Sequence, residues 1–153
     1  MKNLTSIVLA ILFLSQPLFA AGGYSSGTSS TSKNANKDPF AAIYQLIEAK
    51  KFGEAHKALE ILNVPTKQAD KFNLLGFTAR KSGDLEKARD YYNRALEINP
   101  KHVRALEYQG ELFIQLGKIN DAKQNLEKIQ RICWIPCSEE KQLEEAIKLA
   151  LKN

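Results

Sequence analysis

Cysteine and histidine are scarce in this chain of 153 residues, with two of each, at Cys133, Cys137, His56 and His102. The histidines stand in separate segments with no second metal ligand beside them, and neither has a Ser, Cys or Asp nearby in a catalytic arrangement. A Gly-rich phosphate loop, a HisGluXaaXaaHis zinc motif and paired acidic motifs are all absent. Catalysis therefore has no candidate residues, and no cofactor is expected. Long apolar runs are missing too. The longest, Leu4 to Leu14 with Thr5 and Ser6 inside it, is about half of the roughly 20 residues that span a membrane. Charge of one sign is nowhere concentrated: the signs alternate along stretches such as Lys81 to Asp90, and no basic cluster carries interleaved aromatics. That pattern is a solvated, ion-paired face and excludes a nucleic-acid partner.

What is present begins with a leader. Lys2, the apolar run and then SerGlnProLeuPheAla have the charged, apolar and cleavage segments of a secretory signal, so residues 1–20 are expected to be removed after Ala20. No Cys stands near that bond, which excludes lipid attachment there. The expected location is the periplasm, or the exterior of a cell with one membrane; membrane contact is expected only if the leader is retained as an anchor. Residues 21–37 are rich in Gly, Ser, Thr and Asn and read as a disordered linker. Removing the leader removes Lys2 alone, leaving 21 basic against 17 acidic residues, a mild net charge of +4.

From residue 38 onward the composition supports one globular domain. Its centre is the stretch 69–102. Phe72, Leu75, Gly76 and Ala79 recur at helical spacing, SerGlyAsp at 82–84 interrupts, and Leu85, Ala88, Tyr92 and Ala95 restart the period until AsnPro at 99–100. This is a helical hairpin in which Gly76 should face Ala88 and Ala95, with Phe72 and Tyr92 on the flanks. The positions of Phe72, Leu75, Gly76, Gly83, Ala88, Tyr92, Ala95 and Pro100 resemble the tetratricopeptide repeat (TPR), a 34-residue unit; Ala79, where that pattern has Tyr, departs from it.

Two further copies flank the centre. Ahead of it, AspPro at 38–39 opens a helix carrying Phe40, Ile43, Tyr44, Leu46 and Ile47, a turn is expected within 50–55, and Ala55, Leu59 and Leu62 continue on a partner helix. Ala55 precedes Ala88 by 33 residues, so the missing residue is placed near Pro65, and Ile43 holds the position of Gly76. Behind it, Gly110, Gly117, Ala122 and Leu126 follow Gly76, Gly83, Ala88 and Tyr92 by 34. The repeats are thus about 38–68, 69–102 and 103–136. A last amphipathic helix, 138–151, with Leu143, Ala146, Ile147, Ala150 and Leu151 on one face, resembles the capping helix of TPR arrays. The expected fold is all-α over 38–151.

The resemblance implies a non-enzymatic module that binds a protein or peptide in the concave groove lined by the first helix of each repeat. The family's contact positions fall here on Phe40, Tyr44, Ile47, Asn73, Phe77, Arg80, Arg104, Glu107, Glu111 and Ile114, with Phe77 as apolar centre and Arg80 and Arg104 as anchors for an acidic segment. Some TPR domains clamp a carboxylate through Lys and Asn; here Phe77 stands where Asn is needed. Cys133 and Cys137 are expected to form a disulfide that clips the elbow before the last helix, since Pro136 turns the chain and an exported pair this close is usually oxidised. A redox couple and a two-thiolate Cu(I) site remain open for the same pair. Trp134 is expected to plug the space between the third repeat and the last helix. A third role, repeats stacking between copies into a homo-oligomer, also stays open.

Overall fold

A computed structural model describes residues 38–152 of the protein. The expected leader and linker lie outside the described residues. The apolar periodicity becomes seven helices: α1 (Ala41–Glu48), α2 (Phe52–Ile61), α3 (Gln68–Lys81), α4 (Leu85–Ile98), α5 (Val103–Gln115), α6 (Ile119–Ile132) and α7 (Ser138–Ala150). One 3-10 turn, Pro65–Lys67, absorbs the irregular spacing ahead of α3. Consecutive helices pair as hairpins α1–α2, α3–α4 and α5–α6, and α7 packs on both α5 and α6.

Local chemistry sets several boundaries. The Asp38 carboxylate accepts the Phe40 N–H at 3.1 Å and its carbonyl accepts that of Ala41, so Asp38 caps the entry, although α1 starts only at Ala41. Asp84 caps α4 by accepting the Lys87 N–H, and His102 caps α5 through Nδ1, which accepts the Ala105 N–H. Between the two helices of each hairpin the chain enters the left-handed region, at Gly83 (φ 87°) and Gly117 (φ 72°). The 33-residue offset puts Lys50 at the equivalent place in the first hairpin, with φ 57°. The first turn is therefore at 49–51, earlier than the 50–55 expected, and Gly53 lies inside α2.

Packing is a matter of matched volumes. A Cβ on Gly76 would lie 2.6 Å from the Tyr92 ring, so the glycine is the seat of a fully buried tyrosine. Tyr92 is thus central and not a flank, while Phe72 is half-buried and stacks on Tyr91 with centroids 6.2 Å apart. In the first hairpin the same pair of positions is Ile43 and Leu59: the larger residue on α1 is matched by a smaller one on α2, and both are buried. In the third, a Cβ on Gly110 would meet Leu143 at 2.6 Å, so that glycine admits the last helix and not a side chain of its own hairpin.

The core follows as three clusters along the array. Phe40, Ile43, Leu59 and Leu75 join α1–α3; Ala79, Ala88, Tyr92 and Leu112 join α3–α5; Leu106, Ala122, Ile129, Leu143 and Ile147 join α5–α7. Each hairpin buries its face only against the next, as in a quasi-one-dimensional stack. Two expectations fail at the C-terminal end. Leu151 is exposed, beyond the last turn of α7, and Trp134 fills no gap: it is 99% exposed.

The two helical glycines at 53 and 76 should respond oppositely to the same change. Gly76→Ala should destabilise by about 1–3 kcal/mol, because overpacking against Tyr92 outweighs the gain in helix propensity. Gly53→Ala, where a Cβ has nothing within 4 Å, should stabilise by about 1 kcal/mol. Urea unfolding of both variants checks this, and shifts of the same sign would contradict it.

Candidate binding groove

The first helices of the hairpins, with α7, carry an open cleft of about 310 Å³ lined by Tyr44 of α1, Asp70, Asn73 and Leu74 of α3, the Asn99–Arg104 connection into α5, and Glu139 of α7. Of the ten residues expected to line a groove, the structure brings Tyr44, Asn73 and Arg104 together here. Arg80, Glu111 and Ile114 border a second opening of about 290 Å³ with Lys81 and Ala146. Asn73, Phe77 and Arg80 follow one face of α3 at i, i+4 and i+7, which places Phe77 between the two openings.

Phe40 is not a groove residue. It is 2% exposed and belongs to the first core cluster, because it stands just ahead of α1 and packs inward with Ile43. Ile47 is half-buried against the same cluster, and Ile114 against the third. Phe77 is half-buried: its ring meets Phe52 at 6.1 Å and Tyr108 at 4.9 Å, with the Arg80 and Lys81 cations 5.8 and 5.5 Å from its centre. Phe52 and Tyr108 went unnoticed in the sequence, since neither occupies a family contact position.

The two arginines expected as anchors are already paired. The Arg80 side chain is buried and ion-paired with Glu111, so it does not stand free to anchor an acidic segment. Arg104 is exposed but engages Glu139 at 3.4 Å. The Arg80 guanidinium lies beside the Tyr92 hydroxyl, yet neither that hydroxyl nor Arg80 Nε completes a hydrogen bond. Among the described residues, two groups of the first cleft have no partner: the exposed Lys101 ammonium, which makes no ion pair, and a buried acceptor, since Asn73 is 2% exposed and its Oδ1 has no hydrogen bond. One turn and a helix away, Glu107 is also 2% exposed. Burial first, and the Glu111 carboxylate second, push its pKa up to about 8; Glu139 acts in the same sense, while Arg80 and Arg104 oppose. The Tyr108 hydroxyl is raised by burial and then by Glu107.

Both histidines and Asn125 have structural partners. His56 shares a 2.8 Å hydrogen bond with Thr78, and His102 contacts Asp70 at 3.1 Å while capping α5. Asn125 donates to the Leu106 carbonyl and to Gln109 inside the third hairpin. Among the described residues no three His, Cys, Asp or Glu side chains gather where a metal could be held, and no helix is long and apolar enough to cross a membrane. Cys133 and Cys137 have Cα atoms 6.0 Å apart and sulfurs within bonding reach.

Comparison with known proteins places these hairpins in a class. The tetratricopeptide repeat family matches at residues 69–102 and again at 91–124. The chain is a tetratricopeptide-repeat protein, and an array of this kind is a protein–protein interaction module. It is similar to the photosystem I assembly protein Ycf3 of Acaryochloris marina, 31% identical over 54% of this chain, and to the uncharacterized protein ycf37 of Pyropia yezoensis, 27% identical over 55%. The matches span about half of those relatives, 50% and 47% of their lengths. Among solved structures it resembles the Yersinia enterocolitica type III secretion chaperone SycD, in complex with a peptide of the translocator YopD. That match has a TM-score of 0.61 at 21% identity and covers 74% of this chain and 87% of the other, a likeness of fold.

The buried carboxyl gives a pH prediction. Glu107 has a folded pKa above its unfolded value, so its contribution is fully present below about 4.5 and is lost as pH rises towards about 8. The melting temperature should fall across that window, and Glu107→Gln should flatten the fall. A slope unchanged in that variant would show that Glu107 is not its source.

Proposed function

We propose that this chain is an exported, non-enzymatic TPR module whose concave face holds a segment of a partner protein that brings hydrogen-bond donors, from its backbone or from Lys and Arg side chains. The observation that carries this is Asn73: a buried amide oxygen on an open cleft, without a partner, in a surface whose arginines are already neutralised. An unpaired buried acceptor costs about 1–3 kcal/mol, and an incoming N–H removes that cost. Phe77 and Tyr108 supply the apolar contact beside it. SycD, of similar fold, is seen with a peptide bound, which supports the reading without naming a partner.

A photo-crosslinking residue at Tyr44 should capture partner protein in the cell envelope, and Asn73→Ala should reduce that yield while leaving the melting temperature close to wild type. Capture from Arg89, on the outer helix α4, in place of Tyr44 would move the site to the opposite face.

The export reading adds a leader removed near Ala20 and a closed Cys133–Cys137 bond, supported by the approach of the two sulfurs. The intact mass of the native protein should correspond to an N-terminus near Ala21 and should lack the two thiol hydrogens. A chain retaining Met1 would make the protein anchored, and free thiols would return the pair to redox or Cu(I) chemistry.

A further inference from the structure

The connection between α6 and α7 is the least expected surface of the molecule. Cys133 and Cys137 pack against the core cluster of α5–α7, and the residues between them point the other way, with Trp134 99% and Ile135 80% exposed. Tryptophan is on average well buried in folded proteins, so this one is displayed by construction. With the sulfurs held inward and the two Cα atoms 6.0 Å apart, the three intervening residues have no path back to the core.

The loop belongs to an edge. Helices α2, α4 and α6 all end on the side where α1, α3, α5 and α7 begin, as shown by the pairs Asp38–Lys67, Asp70–His102 and Arg104–Glu139 that tie neighbouring starts and connections. Two further exposed apolar residues sit there, Ile61 at 88% at the end of α2 and Ile98 at 53% at the end of α4.

From these observations we infer that the Trp134–Ile135 loop is an insertion point for a lipid surface carrying anionic headgroups. Its form favours lipid over a second copy of the chain: a protruding tip of three residues is far below the roughly 800 Å² per partner of a stable protein interface. A lipid interface needs no complementary pocket, and it suits an indole, which has an apolar body and one N–H. Pro136 brings no backbone donor that would have to be desolvated. Charge agrees as well. Lys128 and Arg131, in the last two turns of α6, are exposed and have no ion-pair partner among the described residues, so both are available to anionic headgroups.

Trp134 is the only tryptophan in the chain, so its fluorescence isolates the loop even if the leader itself binds lipid. The full chain is mixed with vesicles of phosphatidylglycerol and phosphatidylethanolamine. Emission should shift to shorter wavelength and be quenched by brominated acyl chains. The double variant Lys128→Ala with Arg131→Ala should weaken the apparent partition roughly thirtyfold, and Ile135→Asp should abolish the shift with helical circular dichroism unchanged. Emission that stays that of a solvated indole with every vesicle overturns the proposal. So does a shift without lipid that grows with protein concentration, which would mean a second copy. A shift produced only by soluble envelope proteins overturns it too, as does a full lipid shift in Ile135→Asp.

Discussion

The seating of Tyr92 on Gly76 is the contact on which the rest of the array depends. A single helical hairpin cannot bury both of its faces, and the central one brings its helices together only because no Cβ stands under the tyrosine ring. Tyr92 then reaches further, with its ring 6.5 Å from that of Tyr108 on the next hairpin and its hydroxyl beside Arg80. Arg80 is held against Glu111. One tight approach between two helices thus passes, through three side chains, into the floor of the groove.

In that floor the two arginines are already paired, whereas a buried acceptor is not. In the Arg80–Glu111 pair the guanidinium is buried and the carboxylate partly open to solvent, so breaking it leaves a buried cation without compensation. Asn73 and Glu107 present the opposite case, since both are buried and the first has an oxygen with no donor.

The edge of the array is built on weaker terms. Asp38–Lys67, Asp70–His102 and Arg104–Glu139 involve groups partly open to solvent, and pairs of that sort contribute about 0–1 kcal/mol each. Their repetition along one edge ties each first helix to the next connection. Trp134 and Ile135 stand exposed on that edge while Cys133 and Cys137, on either side of them, take the inward positions against the core.

Much of the fold was legible from residue order, since the signals are local and recur. The 34-residue spacing of Gly76 and Gly110, the turn glycines at 83 and 117, and the periodic Ala88, Tyr92 and Ala95 read directly as hairpins, and the 33-residue offset of Ala55 located the irregular joint near Pro65. The groove was legible only as a set of positions. Arg80 meets Glu111 across 31 residues and Arg104 meets Glu139 across 35, and nothing in either neighbourhood announces the partner that cancels the charge. Phe40 and Trp134 exchanged places relative to expectation for a similar reason. Periodicity states that an apolar residue shares a face with its neighbours in the helix. Which face meets the core depends on where the helix is entered and on which side chains of a connecting loop are drawn inward, and those are settled only when neighbouring hairpins pack.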